Sequence, residues 1–244
     1  MKILLWIFGL ALAIMIAHCT AQAQDNTLTG KEERAGWKLL FDGKTSAGWM
    51  NAKSKIFPDN GWLIKDGTIS VDPASRKDGG GGDIVTVDKF INFELSVDFM
   101  YTKGANSGIK YFVDTEINNG ALASIGCEYQ VLDDLNHPDA KAGFEGNRTL
   151  AGLYDLIAPK NKKDNGFDNW NTARIVVKGN KVQHWLNGQM VVEYERGNDA
   201  WRELVKKSKF RDSPGFGEVK ESRILLQDHG NIVSFKNIKI KEIK

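Results

Sequence analysis

Three short stretches of the sequence combine an alternating polar and apolar pattern with side chains that can hold or transfer protons. Glu128 and Gln130 alternate with apolar residues within residues 126–132, and Lys110 does the same within residues 107–113. Successive side chains of a strand point to opposite faces, so these polar groups are predicted to face away from a core. A carboxylate near an amide and an ammonium suits general acid–base chemistry.

The third stretch begins at Arg223. Arg223 and Gln227 fall on the side of this strand opposite its main apolar residues, and His229 follows where the strand should end. A sandwich needs only one face of each sheet for its core, so a curved sheet could gather these groups with Glu128 and Lys110 in one concave groove. The alternative is that they meet solvent, as the polar side chains of any outward strand face do.

Two further histidines leave their roles open. His184 alternates with apolar residues, which favours a hydrogen-bonded imidazole in the core over a catalytic one. His137 lies in a loop rich in Asp and Asn, residues 133–138, where a role in a site and a role in a turn are both consistent with the pattern. This loop lacks the glycine and the closing glutamate of an EF-hand, so no calcium loop of that type is expected.

The same alternation recurs along most of the chain from Trp37 onwards, between closely spaced turn signals. Predicted strands cover residues 62–65, 68–71, 91–99, 107–113, 126–132, 172–178, 181–186, 189–195, 222–227 and 232–242. Gly67 and the pair Asn187 and Gly188 are typical of hairpin turns. One short helix is predicted near Asp199, its expected N-cap. The pattern therefore predicts an all-β fold of two antiparallel sheets, a sandwich or jelly roll, with one short helix.

The first 23 residues have the features of a signal peptide. Lys2 precedes an apolar run too short to span a bilayer, and small residues end at Ala23, a suitable cleavage site. We therefore expect a periplasmic or secreted protein with a short extension at residues 24–30 and one domain over residues 31–244. Lipid attachment at Cys19 is the alternative. No second apolar segment is present, so a membrane-spanning protein is not expected.

The composition and the missing motifs exclude several function classes. The chain has 33 Lys and Arg against 31 Asp and Glu, scattered along the sequence, so no nucleic-acid partner is expected. After leader cleavage Cys127 stands alone, which excludes an internal disulfide and favours a small buried side chain. The signatures of P-loop, dinucleotide-binding, zinc-protease and serine-hydrolase sites are absent. No cofactor is expected from these motifs.

Several motifs, taken in order, resemble those of the 3-keto-disaccharide hydrolase family. They are GWKLLFDG at residues 36–43, GW at 48–49, FEL at 93–95, GANSGI at 104–109, EYQVLD at 128–133, WN at 170–171, HWLNG at 184–188, LQDHG at 226–230 and FKNI at 235–238. The resemblance covers nearly the whole chain after the leader. It implies a concanavalin A-like jelly roll, an exported bacterial protein and hydrolysis of glycosides whose sugar is oxidised at carbon 3.

The chemistry of such a substrate assigns roles to the candidate residues. A ketone at carbon 3 acidifies the hydrogen on carbon 2, so a base can remove it and the group on carbon 1 can leave before water adds. Glu128 and His229 are the candidates for this proton-transfer pair, with base and acid unassigned. The candidates for binding the carbohydrate are Asn106, Lys110, Gln130, Asp133, His137, Tyr154, Trp170, Arg223 and Gln227.

Other readings of the same residues remain open. Ordinary glycoside hydrolysis by two carboxylates would use Glu128 and Asp133. A divalent ion polarising the keto oxygen would have Glu128, His137 and His229 as conceivable ligands, although their spacing matches no metal motif. A non-catalytic carbohydrate-binding module of the same fold is the alternative function, and a protein-interaction or adhesion domain is a third.

Overall fold

The computed structural model describes residues 24–77, 81–113 and 124–243, and the proposed signal peptide lies outside these residues. Most of the regular secondary structure in the described part is β-strand. In chain order the elements are α1 (Gly30–Arg34), β1 (Trp37–Leu39), β2 (Trp49–Asn51), β3 (Trp62–Lys65), β4 (Thr68–Val71), β5 (Ile84–Thr86), β6 (Phe93–Tyr101), β7 (Asn106–Val113), β8 (Cys127–Leu132), β9 (Asn171–Lys178), β10 (Lys181–Leu186), β11 (Gln189–Glu195), α2 (Asp199–Lys206), β12 (Arg223–Leu226) and β13 (Val233–Glu242).

The strands form two antiparallel sheets. The larger has eight strands in the order β11-β10-β9-β6-β13-β4-β3, with β1 also paired to β13. The smaller has five strands in the order β2-β5-β12-β7-β8. The prediction of an all-β sandwich of two antiparallel sheets is therefore confirmed.

The core lies between the inner faces of the two sheets. On β6 every odd-numbered side chain from Phe93 to Tyr101 is buried, and the even-numbered ones are partly exposed. From the smaller sheet, Ile109, Tyr129 and Leu226 join the same buried cluster. Burying each large apolar side chain contributes on the order of 2 kcal/mol, so this packing fixes which face of each strand points inward. The outer face of the five-stranded sheet carries a smaller apolar cluster that includes Val85 and Leu225, and beside it the polar side chains of Lys110 and Glu128.

The strands of four or more residues lie where the alternation predicted them, whereas the three-residue strands were missed. The bounds of β3, β4, β10 and β11 match the predicted ranges. The strands β1, β2 and β5 were not predicted, because three residues are too few to establish a period of two. Asn187 and Gly188 both have positive φ, 49° and 80°, as a two-residue hairpin turn of this kind requires.

The helices differ slightly from the prediction. Helix α2 begins at Asp199, but its N-cap is Asn198, whose side chain accepts from the Trp201 amide. Trp201 and Val205 are its buried residues, and their spacing of four places them on one face of the helix. Helix α1 was not predicted; it has only five residues and starts with a capping box at Thr29. In the described residues no helix is long and apolar enough to cross a bilayer.

His184 is a core residue, as its alternation favoured. The residue is fully buried, and Nδ1 lies 3.1 Å from the Ala151 carbonyl oxygen, so this nitrogen carries the proton. Nε2 then accepts from the Tyr111 hydroxyl, which also contacts the hydroxyl of Tyr194 at 2.9 Å. Burial lowers the pKa of His184 to about 4, so the imidazole is neutral in the folded protein. Cys127 is also buried, and burial raises its pKa to about 12.

Candidate active site

The candidate site is built on the outer face of the five-stranded sheet, where neighbouring strands place polar side chains side by side. Glu128 of β8 is paired directly with Lys110 of β7, and Lys110 is paired with Leu225 of β12. The next row along the sheet pairs Gln130 with Gly108. Two residues far apart in the sequence, one acidic and one basic, are thus adjacent because β7 and β8 run antiparallel in this register.

Glu128 is nearly completely buried, with 5% of its surface exposed. The ammonium of Lys110 lies 3.5 Å from Oε2 of Glu128 and also donates to the Ser124 carbonyl oxygen at 3.3 Å. The amide nitrogen of Gln130 donates to Oε1 of Glu128 at 2.8 Å and to the Ser107 carbonyl oxygen at 3.0 Å. A charged neighbour and an amide donor therefore hold the carboxyl group on the sheet surface.

Gly108 provides the space into which the Glu128 side chain folds. A Cβ atom at Gly108 would lie 2.5 Å from Oε1 of Glu128 and 2.8 Å from its Cδ. Gly108 has no positive φ, so its importance lies in the absence of a side chain and not in an unusual backbone conformation. Any larger residue at this position would push the carboxyl group out of its place.

The pKa of Glu128 is raised above its ordinary value. Burial is the main cause, because it disfavours the charged form, and the negative charge of Asp83 acts in the same direction. The positive charges of Lys110, Lys209 and His229 oppose this shift without cancelling it. The carboxyl group therefore keeps its proton to a higher pH than an exposed glutamate would, as a proton donor requires.

His229 lies just beyond β12, close enough for its charge to act on Glu128, and it is exposed. The preceding residue, Asp228, has a fully buried side chain that accepts from the guanidinium of Arg76. The same carboxylate accepts from the amides of Gly82 at 2.8 Å and Gly230 at 3.0 Å. These bonds fix the backbone on both sides of His229, so an accessible imidazole is held at a defined place beside the sheet.

Lys209 is a member of the site that the sequence analysis did not select. Its ammonium lies 4.1 Å from the centre of the Tyr154 ring, a cation–π contact, and its backbone amide donates to Asp155 at 2.7 Å. The amide of Tyr154 in turn donates to the carbonyl oxygen of Glu128 at 3.0 Å. Partial desolvation of its ammonium lowers the pKa of Lys209, and the charge of Glu128 acts in the opposite direction. Lys209 lies outside the strands, so no alternation marked it.

Tyr154 lies next to Glu128 through its backbone amide, and its hydroxyl is held by a group of charged side chains. Its hydroxyl donates to Asp139 at 2.8 Å, and the guanidinium of Arg148 joins Asp139 at 3.0 Å and Asp155 at 2.6 Å. Burial and the bond to Asp139 raise the pKa of Tyr154, so the hydroxyl stays protonated. This ion-paired cluster anchors the long segment between β8 and β9 against the residues that follow α2.

Asn106 and Gln227 are also brought to the same face. The side-chain amides of Asn106 and Gln130 lie 3.4 Å apart, and the backbone amide of Asn106 donates to Asn231 at 3.1 Å. Gln227 donates its backbone amide to the carbonyl oxygen of Gly108 at 2.9 Å. The side-chain oxygen of Gln227 is buried and has no hydrogen-bond partner within the described part of the chain.

Asp133 and His137 serve the loop in which they lie. Asp133 accepts from the backbone amides of Gly104, Leu135 and Asn136, and although burial alone would raise its pKa, these bonds lower it. Nδ1 of His137 accepts from the amide of Asp139 and caps a short 3₁₀ turn. Asp133 thus joins the turn after β8 to the connection between β6 and β7, and its role in binding the substrate stays a prediction.

Two proposed binding residues are directed elsewhere. The guanidinium of Arg223 donates to the carbonyl oxygen of Thr86 at 2.9 Å and to that of Val87, so it braces the neighbouring strand β5. Trp170 immediately precedes β9 of the eight-stranded sheet and packs under the ammonium of Lys236, 4.4 Å from its ring centre. The core separates Trp170 from Glu128, which corrects its assignment to the same groove.

The described residues contain no group of three or more His, Cys, Asp or Glu side chains that could hold a metal ion. The conceivable ligand set of Glu128, His137 and His229 is therefore not assembled within them. What the face does assemble is a protonatable carboxyl group, two ammonium groups, an imidazole and several amides. These groups can transfer protons and can form hydrogen bonds with the hydroxyl groups of a ligand.

A family model places the chain among known proteins. The model described as the 3-keto-alpha-glucoside-1,2-lyase-like domain matches residues 36–241, which include every strand listed above except the last residue of β13. The chain belongs to this family. A family relative named 3-keto-disaccharide hydrolase, from Bacteroides thetaiotaomicron, is 36% identical over 252 aligned positions, covering 94% of this chain and 86% of the relative.

Two solved structures resemble this chain, one in sequence and fold and the other in fold alone. A Parabacteroides distasonis protein provisionally classed as a glycosyl hydrolase is 32% identical, with a TM-score of 0.79 over 91% of this chain and all of that one. The laminarinase of Rhodothermus marinus is only 8% identical, with a TM-score of 0.51 over 85% of this chain and 98% of that one. The second likeness shows a shared jelly-roll fold and nothing about the site.

Proposed function

We propose that this protein is an exported enzyme that cleaves glycosides and disaccharides whose sugar carries a ketone at carbon 3. Its place in the family makes it a hydrolase of glycosidic bonds. The observation that carries the finer proposal is the buried Glu128, with a raised pKa, held between Lys110 and Gln130 on the outer side of the five-stranded sheet. Two-carboxylate glycosidases need a second acid beside the first, and Asp133 is used in its turn.

The proposed reaction begins with removal of the proton on carbon 2, which the adjacent ketone acidifies. We assign this step to His229, because its exposed imidazole is a base that a bound sugar can reach. The electron pair moves to the keto oxygen, and an enolate forms. The ammonium of Lys110 is the group on this face best able to stabilise that oxygen, because a charge-assisted hydrogen bond strengthens as negative charge develops.

The second step breaks the bond between carbon 1 and the leaving oxygen. The enolate collapses to a double bond between carbons 1 and 2, and the leaving oxygen takes a proton, which we assign to Glu128. Water then adds across the double bond, with hydroxyl at carbon 1 and hydrogen at carbon 2. The sum is hydrolysis, and the lyase-like description of the family and the hydrolase name of the relative are both consistent with this sequence.

Binding of the sugar ring falls to the amides on the same face. The unpartnered oxygen of Gln227 and the side chain of Asn106 can accept from and donate to sugar hydroxyls, while Tyr154 and Lys209 border the carboxyl group. The name of the Bacteroides relative supports a disaccharide oxidised at carbon 3 as the substrate class. The oxidation itself requires a separate dehydrogenase.

The direct test uses the chain purified without residues 1–23. Incubation with trehalose oxidised at carbon 3 should release 3-keto-glucose and glucose, with a transient ultraviolet absorbance from the unsaturated intermediate. The unoxidised disaccharide is the matched control and should not be cleaved. Equal cleavage of both sugars would refute the need for the ketone. Binding of the oxidised sugar without any change to it would favour a carbohydrate-binding module.

Export is part of the proposal and has its own test. The basic, apolar and small-residue pattern of residues 1–23 supports cleavage after Ala23. Expression of the whole chain in a Gram-negative host should give a mature protein in the periplasm or the medium whose N-terminus is Gln24. A lipid-modified N-terminus at Cys19, detected by mass spectrometry, would instead establish membrane anchoring.

A further inference from the structure

A groove of about 720 Å³ adjoins the carboxyl site at one end of the five-stranded sheet. It is connected to the site at two points. Ser124 lines the groove and accepts from the ammonium of Lys110, and Asp228 lines it and directly precedes His229. Glu128 and His229 do not themselves line the groove, so Ser124 and Asp228 are the wall residues that connect it to the site.

The walls of the groove are held by hydrogen bonds. Asn51 donates to the carbonyl oxygen of Gly81 at 3.0 Å and accepts from the amides of Lys53 and Ser54 at 2.8 and 3.0 Å. Gly81 has φ +88°, and a Cβ there would lie 2.7 Å from the carboxylate of Asp228. Because the polar groups of the walls are bonded to one another, the groove is shaped before any ligand binds.

The lining indicates the chemistry of the occupant. None of the described residues that line the groove is aromatic, so there is no platform on which an aryl group could stack. The polar lining carries both signs of charge and several amide and hydroxyl groups, among them Lys53, Ser54, Asp59, Asn60, Lys77 and Asp83. Such a surface matches an uncharged molecule with many hydroxyl groups, which can donate to the carboxylates and accept from the lysines.

We propose that this groove binds the leaving half of the substrate, and that this half is a second sugar and not an aryl or alkyl group. The inference rests on the proposed function, because the leaving group must depart from a ring held at Glu128 and His229. The groove thus makes the enzyme selective for disaccharides. Binding energy gained from the second sugar positions the scissile bond beside the carboxyl group.

The experiment compares two substrates that differ only in the leaving group. Trehalose oxidised at carbon 3 has a sugar to place in the groove, whereas α-glucosyl fluoride oxidised at carbon 3 has none. Lys53→Trp fills the groove from an exposed position, and Lys181→Trp is the matched control on an exposed position of β10 in the other sheet. Ser54→Trp, made separately, blocks the groove from the neighbouring residue.

We expect Lys53→Trp and Ser54→Trp to lower kcat/KM for the oxidised disaccharide at least about tenfold while changing that for the fluoride less than about twofold. Lys181→Trp should change neither. An equal loss on both substrates, or no loss on either, would overturn the groove assignment. If the unmodified enzyme cleaves neither oxidised substrate, the proposed function fails instead, so the two failures are distinguishable.

Discussion

The ammonium nitrogen of Lys110 lies 3.5 Å from a carboxyl oxygen of Glu128, at positions paired directly across β7 and β8. The pair is almost completely buried on what is otherwise the outer face of a sheet. Removing a carboxyl group from water is costly, and one cation at this distance offsets only part of the cost. The site thus keeps a glutamate whose proton is available for transfer.

Replacing Glu128 with Gln removes the transferable proton and preserves the shape of the side chain. We expect turnover to fall at least about a hundredfold, the usual scale for losing an acid or base, because the leaving oxygen would depart unprotonated. The measurement is kcat on an oxidised disaccharide, with circular dichroism to verify the fold. Full activity in the folded variant would show that Glu128 is not the donor.

Replacing Lys209 with Met should move the pH profile in a defined direction. The positive charge of Lys209 lowers the pKa of Glu128, so its loss raises that pKa further. Since the reaction needs the protonated carboxyl group, the loss of kcat at high pH should occur at a higher pH than in the unmodified enzyme. Lys207→Met, an exposed lysine two residues away, is the control. If the pH at which kcat falls on the alkaline side does not change, the charge of Lys209 does not act on Glu128.

Replacing Gly108 with Ala should displace the carboxyl group. The new Cβ would collide with Glu128 at 2.5 Å, so we expect a loss of about 1–3 kcal/mol in the free energy of unfolding together with lower turnover. Gly30→Ala is the comparison, because the nearest atom there is the end of the flexible Arg34 side chain at 3.3 Å. Urea denaturation and kcat report the two effects. A Gly108→Ala protein with normal activity would contradict the described position of Glu128.

The two histidines should separate catalysis from stability. His229→Ala should lower turnover about a hundredfold or more with little change in stability, because the imidazole is exposed. His184→Phe should leave the reaction largely intact and destabilise the fold, because it removes two buried hydrogen bonds. Kinetics and thermal unfolding of both variants measure this contrast. If His184→Phe abolished turnover and His229→Ala mainly lowered stability, the assignment of His229 to catalysis and His184 to the core would be wrong.

His184 also predicts how stability depends on pH. Its folded pKa of about 4 lies below its unfolded value near 6.5, so the unfolded state binds more protons in this range. Stability should therefore fall as the pH drops from 6.5 to 4, by up to about 3 kcal/mol from this residue. In His184→Phe the same acid titration should show a shallower decline. An unchanged slope would show that other groups control the acid transition.

Much of the site could be predicted because it lies on regular strands. Alternation alone placed Glu128, Gln130 and Lys110 on one outward face, and antiparallel pairing then brought two of them into contact. The prediction was less successful where side chains follow irregular backbone. Asp133 has the residue type of an active-site acid, yet it accepts from two backbone amides of the turn after β8 and from the Gly104 amide between β6 and β7.

The residues that were missed or misplaced depend on long-range packing. Lys209 reaches the site only because Asp155 and Tyr154 hold the segment after α2, and no local pattern encodes that contact. Trp170 was assigned by residue type, since tryptophan is a common sugar platform, but β9 belongs to the opposite sheet. Sheet membership depends on strand order, which single-sequence periodicity does not reveal.

The most direct test of the account is the fate of the hydrogen on carbon 2. Cleavage of an oxidised disaccharide in D₂O should place deuterium at carbon 2 of the released keto-sugar during turnover, because elimination removes that hydrogen and hydration supplies another from solvent. The product incubated alone in D₂O gives the rate of uncatalysed exchange. Deuterium appearing at the rate of bond cleavage is the predicted result, and cleavage that retains the original hydrogen at carbon 2 would contradict it.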